Sequence, residues 1–506
     1  MFSNRAVLIN IIVATVMLFG AAAVQAGNKV PYLQVGVFSD KAAAEKVLQQ
    51  LKNNGFNAEQ RTVDVIGRPA EVVLVGPFER TSQALYEQRR LRDIGWPAAV
   101  KRFLFVPKPE PKPVSKPESK PRPKPSSFRV STSGSVTAEL RGFFDEPLYA
   151  GQRGSTASLA VQPELYISWN DRKSSLTFVP FVRVGDKDDA RNHADVRELM
   201  WINAMGDWEL RLGVGKVFWG VTESVHLVDI INQVDLVESP DREEKLGQPM
   251  LNLSRFTDWG TWELFVLPLF REQTFAGVNG RLRGPLVVNT DLDALYESDD
   301  RDKHVDLAVR WSHYIGDWDI GLSHFSGTSR APGFVPVLNA FGQPEYLLPL
   351  YNLIEQTGLT LQALLGDWAW KLEATSTKEK NQRYTQSVVG FEYTHVGVFE
   401  SSMDLGLLLE YIYDSRGELA PGPFEDDVML GTRWVFNDMQ SSEILVGVIA
   451  DLDGGANSTI IEASRRLGQS WKLALEYRGS SSLEATDPIY MLRNDDYFQL
   501  ELGYFF

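Results

Sequence analysis

The last eleven residues, 496–506 (DYFQLELGYFF), constrain the rest of the chain most tightly. Phe498, Leu500, Leu502, Tyr504 and Phe506 share one face of an extended segment, while Tyr497, Gln499, Glu501, Gly503 and Phe505 share the other. Period-two alternation of this kind belongs to a strand whose two faces meet different media. The apolar face ends in aromatics, as a strand does where it passes from lipid to headgroup. A free carboxylate beside a terminal Phe makes a poor end for a strand buried in a water-soluble core.

The same alternation recurs from Phe128 onward. It predicts strands at about 134–144, 158–170, 174–186, 195–206, 208–220, 250–260, 261–272, 303–316, 318–330, 351–366, 369–380, 384–397, 403–415, 427–437, 442–453, 458–468, 471–480 and 496–506. Short connections such as Asn170-Asp171, Gly206-Asp207, Gly316-Asp317 and Gly366-Asp367 alternate with long acidic or Pro/Gly-rich ones at 221–249, 273–302, 331–350, 416–426 and 481–495. Short and long connections alternate in this way when an even number of strands crosses a membrane as a barrel. The fold expected is an all-β transmembrane antiparallel barrel of about eighteen strands, with sixteen as the next count. Trp208, Trp259, Trp318, Trp368 and Trp471 flank short turns and mark an aromatic girdle at one rim. No apolar run after the N-terminus approaches the ~20 residues that a spanning helix needs. The terminal Phe, the Tyr two residues before it and the apolar alternation upstream resemble the C-terminal signature of bacterial outer-membrane barrels. That resemblance implies recognition of Phe498, Leu500, Leu502, Tyr504 and Phe506 by barrel-insertion machinery.

Upstream, Arg5 followed by the apolar run 6–23 and Val24-Gln25-Ala26 reads as a signal peptide, 1–26. With no cysteine there is neither a disulfide framework nor a lipid-attachment site. Residues 30–106 read as a small α+β domain. Strand 32–38 leads to a helix over 41–53 stopped by Gly55, and strand 71–75 breaks at Gly76-Pro77-Phe78 before a helix near 82–92 and a strand over 98–106. The motifs Gln34-Val35-Gly36-Val37-Phe38 and Val73-Leu74-Val75-Gly76-Pro77-Phe78, with Gly55 and Gly95, resemble the SPOR domain, a family whose members bind peptidoglycan glycan strands. Two positions depart from that family: Val37 replaces a small polar residue, and Val72 or Leu74 a basic one. The resemblance implies a glycan-binding sheet, on which the exposed polar groups would be Tyr32, Gln34, Arg68 and Arg102. Residues 107–127, with a proline at nearly every second position up to Pro125, form a polyproline linker able to span roughly 60 Å. The barrel, 128–506, completes the chain.

Charge divides unevenly. Residues 1–127 hold 19 Lys/Arg against 10 Asp/Glu, so of the formal net charge of −15 the barrel carries −24. Acidic loops at one rim would favour cations or bridge lipopolysaccharide phosphates through divalent ions. Charged residues on barrel strands are tolerated only toward water. Glu164, Arg183, Glu209, Arg211, Asp306, Arg310, Lys371, Glu373, Asp404, Glu410, Arg433, Lys472, Glu476 and Arg478 therefore line the lumen, either as a transverse field or as ion pairs bracing the wall.

Two connections stand out. Lys216-Val217-Phe218-Trp219-Gly220 runs into Asn232-Gln233-Val234-Asp235, which resembles a loop pattern of proteobacterial porin-like families and suggests an inward constriction. The 331–350 connection is apolar, as a buried plug or a contact for hydrophobic solutes would be.

Nothing points to catalysis. No nucleophile elbow is present, and among the six His only His313 and His324 are spaced to meet across a hairpin. No catalytic residue, metal site or cofactor is expected. The function expected is a porin-like channel for small polar solutes or ions in the outer membrane of a Gram-negative bacterium, with its N-terminal domain in the periplasm on peptidoglycan. The alternatives are a plugged tether between membrane and cell wall and an exopolysaccharide-export barrel. Peptidoglycan, outer-membrane lipids with lipopolysaccharide, and the insertion machinery are the expected partners.

Overall fold

A computed structural model describes residues 29–38, 41–65, 68–78, 87, 91, 99–104, 128–186 and 188–506. The signal peptide, the linker, most of the helix expected near 82–92 and Lys187 lie outside these residues. Contacts divide the chain into two units, 1–122 and 123–506.

In the first unit, β1 (Lys29–Phe38), β2 (Ala58–Val65), β3 (Arg68–Val75) and β4 (Ala99–Leu104) form a sheet in the order β2-β3-β1-β4, with α1 (Lys41–Asn53) between β1 and β2. Ala44, Val47 and Leu51 recur at helical spacing and pack on Leu33, Val73 and Val75. Gly55, at φ +82°, ends the helix in the left-handed conformation that suits glycine. Strand β2 was not expected. Its successive residues Glu59, Gln60, Arg61 and Thr62 are all polar, so hydrophobic periodicity gives it little signal.

In the second unit, eighteen antiparallel strands close into a barrel among the described residues. They are β5 (Phe128–Phe143), β6 (Ser155–Trp169), β7 (Ser174–Gly185), β8 (His193–Met205), β9 (Trp208–Gly215), β10 (Gln248–Thr257), β11 (Gly260–Leu267), β13 (Asp306–Ile315), β14 (Trp318–Thr328), β17 (Leu353–Leu365), β18 (Trp368–Glu379), β19 (Gln382–His395), β20 (Asp404–Asp414), β21 (Asp426–Val435), β22 (Glu443–Asp451), β23 (Asn457–Leu467), β24 (Trp471–Ser481) and β25 (Tyr497–Phe505). Each pairs with its predecessor in the barrel, and β25 closes on β5 with Leu500 opposite Leu140. Phe506 exchanges backbone hydrogen bonds with Gly134. Closure leaves no free sheet edge around the barrel wall. Three further strands, β12 (Leu295–Tyr296), β15 (Gly333–Leu338) and β16 (Pro344–Tyr351), form a separate small sheet in the connections.

The barrel is apolar outside and polar within. Leu140, Val184, Leu212, Leu307, Leu407 and Leu430 are exposed, whereas Glu139, Arg183, Glu209, Asp306, Glu373 and Glu410 are buried. Such a wall faces lipid with one set of alternate residues and the lumen with the other. At the short-turn rim the aromatics cluster: Trp259 with Trp262, Trp368 with Trp370 and Tyr393, and Trp471 with Tyr504. One connection at the opposite rim breaks the short-long rule, since β18 and β19 are joined through only Lys380 and Asn381.

Candidate functional site

Residues 216–247, between β9 and β10, cross the lumen. Glu373 on β18 is fully buried. One of its oxygens accepts hydrogen bonds from Val221 N (2.6 Å), Thr222 N (3.0 Å) and Thr222 Oγ1 (2.7 Å), and the other from Val228 N (3.2 Å). Glu410 on β20 accepts from Glu223 N, Ser224 N and Ser224 Oγ at 2.6–2.8 Å. Each wall carboxylate thus satisfies backbone donors that would otherwise be stranded inside the barrel. Glu223 in turn pairs with Arg433 of β21 at 2.7 Å.

The second half of the loop is held by ion pairs to the facing strands. Asp235 meets Arg197 of β8 at 2.7 Å, Glu238 meets Arg183 of β7 at 2.8 Å, and Asp241 meets Arg478 of β24. Between these anchors Trp219, Val228, Ile230 and Ile231 pack on Met200, Met250, Phe265, Phe325 and Ile354 of the wall. Glycine on the wall makes room for them, because a Cβ on Gly358 would lie 3.2 Å from a methyl of Val228. Arg330, just past β14, donates to Ile231 O at 2.8 Å and pairs with Asp306 at 2.7 Å.

His226 lies with Nε2 3.2 Å from Glu243 and Nδ1 3.8 Å from Glu373. Burial opposes its charge, but the two carboxylates outweigh that cost and raise its pKa to about 10. Residues 268–305 add a second layer at the long-loop rim. There the buried Arg281 pairs with Asp495 at 2.6 Å, and Gln152 donates to Gly280 O. A cavity of about 240 Å³, open to solvent, remains along β21–β25, where Arg433, Glu443, Glu462, Lys472, Glu476 and Glu501 are among its lining residues.

These contacts sort the residues expected to line a pore. Arg183, Glu209, Asp306, Glu373 and Glu410 are buried, with Arg183, Glu373 and Glu410 beneath the loop that they anchor. They hold the loop in place of lining an open path, because the loop's backbone donors and carboxylates compete with water for them. Arg211 pairs with Glu209, and the Arg310 guanidinium lies 5.1 Å over the Trp219 ring. Lys371 sits between Glu223 and Glu392. Glu164 and Asp404 are partly exposed on their strands. Arg433, Lys472 and Glu476 line the remaining cavity, and Arg478 joins Glu476 and Glu462 to Asp241.

Several wall partners escaped the sequence reading, among them Glu139 and Arg141 of β5, Arg191 and Arg197. Their signal was the strand parity of Glu139 and Arg141 on either side of Leu140.

Three other expectations change. Tyr32 is buried against Val72 and Leu74, with the Arg61 guanidinium 4.6 Å from its ring centroid, so it is not an exposed polar group of the sheet. Gln34, Arg68 and Arg102 lie on β1, β3 and β4. The register sets His313 opposite Ile320 and His324 opposite Val309, so the two histidines do not meet. The 331–350 connection is a hairpin with Phe334, Leu338 and Phe341 exposed, not a buried plug. Phe498, Leu502, Tyr504 and Phe506 are exposed on the outer face.

The family model of the SPOR domain matches residues 27–102. Residues 27–102 are a SPOR domain, and the closed eighteen-strand β-barrel follows it in the chain. No curated protein matches its sequence. Among solved structures, the barrel is similar to a BenF-like porin from Pseudomonas fluorescens, with TM-score 0.45 and 8% identity over 75% of this chain and 98% of that one. It is also similar to OmpT of Vibrio cholerae, with TM-score 0.38 and 9% identity over 76% and 99%. A mutant porin of Rh. blastica gives TM-score 0.38 and 12% identity over 75% and 100%.

Proposed function

We propose that this SPOR-domain barrel is a porin-like channel of restricted bore for small polar solutes or ions, fastened to peptidoglycan glycan strands by its N-terminal domain. The observation that carries this reading is the loop 216–247. It is clamped across the lumen on Glu373 and Glu410, yet a cavity with charged walls, open to solvent, remains along β21–β25. A loop so fixed narrows a bore and leaves transport to diffusion past charged walls. The short turns and both barrel ends share one rim. We take that rim as the periplasmic one, the side of the cell wall.

Two experiments test the reading with the full chain. Planar bilayers should show stable steps of small conductance, and sedimentation with purified sacculi should retain the protein in the pellet unless residues 27–102 are deleted. A second reading, a closed barrel serving only as a tether, is favoured by the buried charges Arg183, Asp306, Glu373 and Glu410. Silent bilayers with intact sacculus binding would establish it. Export of a polysaccharide needs a bore that the loop occupies. Nothing in the described site supplies a nucleophile with its base, so the proposal is non-enzymatic.

A further inference from the structure

The seam of the barrel is not flush. The ladder between β25 and β5 runs from Tyr497 opposite Phe143 to Phe505 opposite Ser135, and it ends where Phe506 and Gly134 exchange backbone hydrogen bonds at 3.0 and 3.1 Å. Strand β5 continues past that point. Residues 128–133 remain paired with β6, in an unbroken register that reaches Phe128 opposite Trp169. On their other side no strand among the described residues pairs with them. At ~3.3 Å per residue this overhang is roughly 20 Å long. It lies beyond the Trp471 and Tyr504 pair of the aromatic girdle, on the side of the short turns.

The edge it presents has a defined chemistry. Both backbone groups of Gly134 face β25, so in an antiparallel ladder those of Thr132 and Val130 face the same way, without a partner among the described residues. Phe128 and Val130 are exposed and continue the outward row of Leu140, while Arg129, Ser131 and Ser133 continue the inward row of Glu139. Phe128 stacks on Trp169 with ring centroids 5.7 Å apart, which ends the edge in a flat aromatic step. Arg129 is exposed and has no carboxylate within ion-pair distance among the described residues. Proline or a bulge commonly blunts a free edge, and residues 128–133 contain neither.

Few occupants fit this edge. The chain's own linker carries proline at nearly every second position up to Pro125, and proline has no N–H to give to a ladder. A second copy cannot reach it, because joining the two edges would put β24 and β25 of both barrels in the same space. An extended segment of another polypeptide can, by taking up the ladder where Phe506 ends it.

We propose that residues 128–133 of β5 accept a strand from a separate periplasmic protein by β-addition. The added strand runs antiparallel to β5, with apolar residues on the side of Phe128 and Val130 and an acidic residue beside Arg129. The inference takes its compartment from the rim assignment above and does not depend on whether the lumen conducts.

Titration of the full-length protein in lipid nanodiscs with a fluorescein-labelled hexapeptide of alternating valine and glutamate tests it by fluorescence anisotropy. Binding should saturate. In the proposed register the valine N–H groups face β5, as Phe506 does, and the glutamate N–H groups face solvent. Methylating the valine nitrogens should therefore abolish binding, and methylating the glutamate nitrogens should leave it. Val130→Pro removes a donor from the free edge but none from the ladder with β6, and should weaken binding about tenfold, the scale of one or two hydrogen bonds. A peptide of alternating valine and lysine should bind more weakly, and Arg129→Ala should remove the difference. Native folding of each variant is checked by its heat-modifiable electrophoretic mobility. A folded wild type that does not bind the valine-glutamate peptide overturns the inference. Binding that is indifferent to valine methylation or to Val130→Pro overturns it as well, since the backbone edge would then not be the site.

Discussion

Thr222 places both its backbone N–H and its hydroxyl on a single oxygen of Glu373, at 3.0 and 2.7 Å, inside the barrel. The carboxylate acts as a socket for the loop. Glu373→Ala leaves Val221, Thr222 and Val228 with buried donors and no acceptor, at a cost of about 3 kcal/mol or more. The loop should then leave the wall. Conductance per channel is expected to rise, and a protease site engineered at 223–228 is expected to become cleavable in the folded barrel. Unchanged conductance and protection would show that the ion pairs of residues 235–241 suffice to hold the loop.

Arg330 bridges the wall and the loop, pairing with Asp306 while donating to Ile231 O. Both charges are buried. Arg330→Ala removes the only arginine paired with the buried Asp306 among the described residues, leaving it His304 and Thr328, and should cost about 3 kcal/mol. Arg330→Ala combined with Asp306→Asn should recover much of that loss, since no carboxylate is then left buried without its arginine. Urea unfolding in lipid vesicles measures both.

The barrel was legible because its physics is local. Alternation such as Trp471, Leu473, Leu475 and Tyr477 against Lys472, Glu476 and Arg478 states both faces of a strand within eight residues. Turns such as Gly316-Asp317 announce themselves by composition, and Gly316 takes φ +64°. The inward loop was legible in the pattern of residues 216–220 and 232–235, but its anchors on the wall were not. Glu373 and Glu410 read as pore lining because nothing near them in sequence shows that backbone N–H groups about 150 and 187 residues away will fill their lone pairs. Tyr32 was misjudged for a similar reason: its cover comes from Arg61, on a strand whose pattern is polar.

The charge on His226 should be a fixed property of the folded lumen. Its pKa is raised to about 10 from an ordinary 6.5. A group so raised contributes stability that is complete below 6.5 and is lost as pH climbs through about 10. The ring resonances of His226 should therefore not titrate between about pH 5 and 8, where an ordinary histidine does. His226→Gln should destabilise the loop at neutral pH and have little effect above about pH 11. A midpoint near 6.5 for His226 would mean that Glu243 and Glu373 do not hold the proton.

Gly213 sets the approach of β8 to β9. Its φ is +141°, and a Cβ there would stand 1.9 Å from the carbonyl oxygen of Leu199. That oxygen belongs to the backbone of the adjacent strand, so no side chain can swing aside to relieve the contact. Gly213→Ala must separate the strands or twist the peptide, at about 2–4 kcal/mol. The damage would fall where β9 leads into the lumen loop, so misplacement of residues 216–247 should accompany the loss of stability. Gly142→Ala is the control: a Cβ at that outward-facing position meets nothing within 4 Å. The expected result is a lowered unfolding midpoint and altered conductance for Gly213→Ala, with Gly142→Ala like the wild type. Equal behaviour of the two variants would mean that β8 and β9 can pair without the close approach that Gly213 permits.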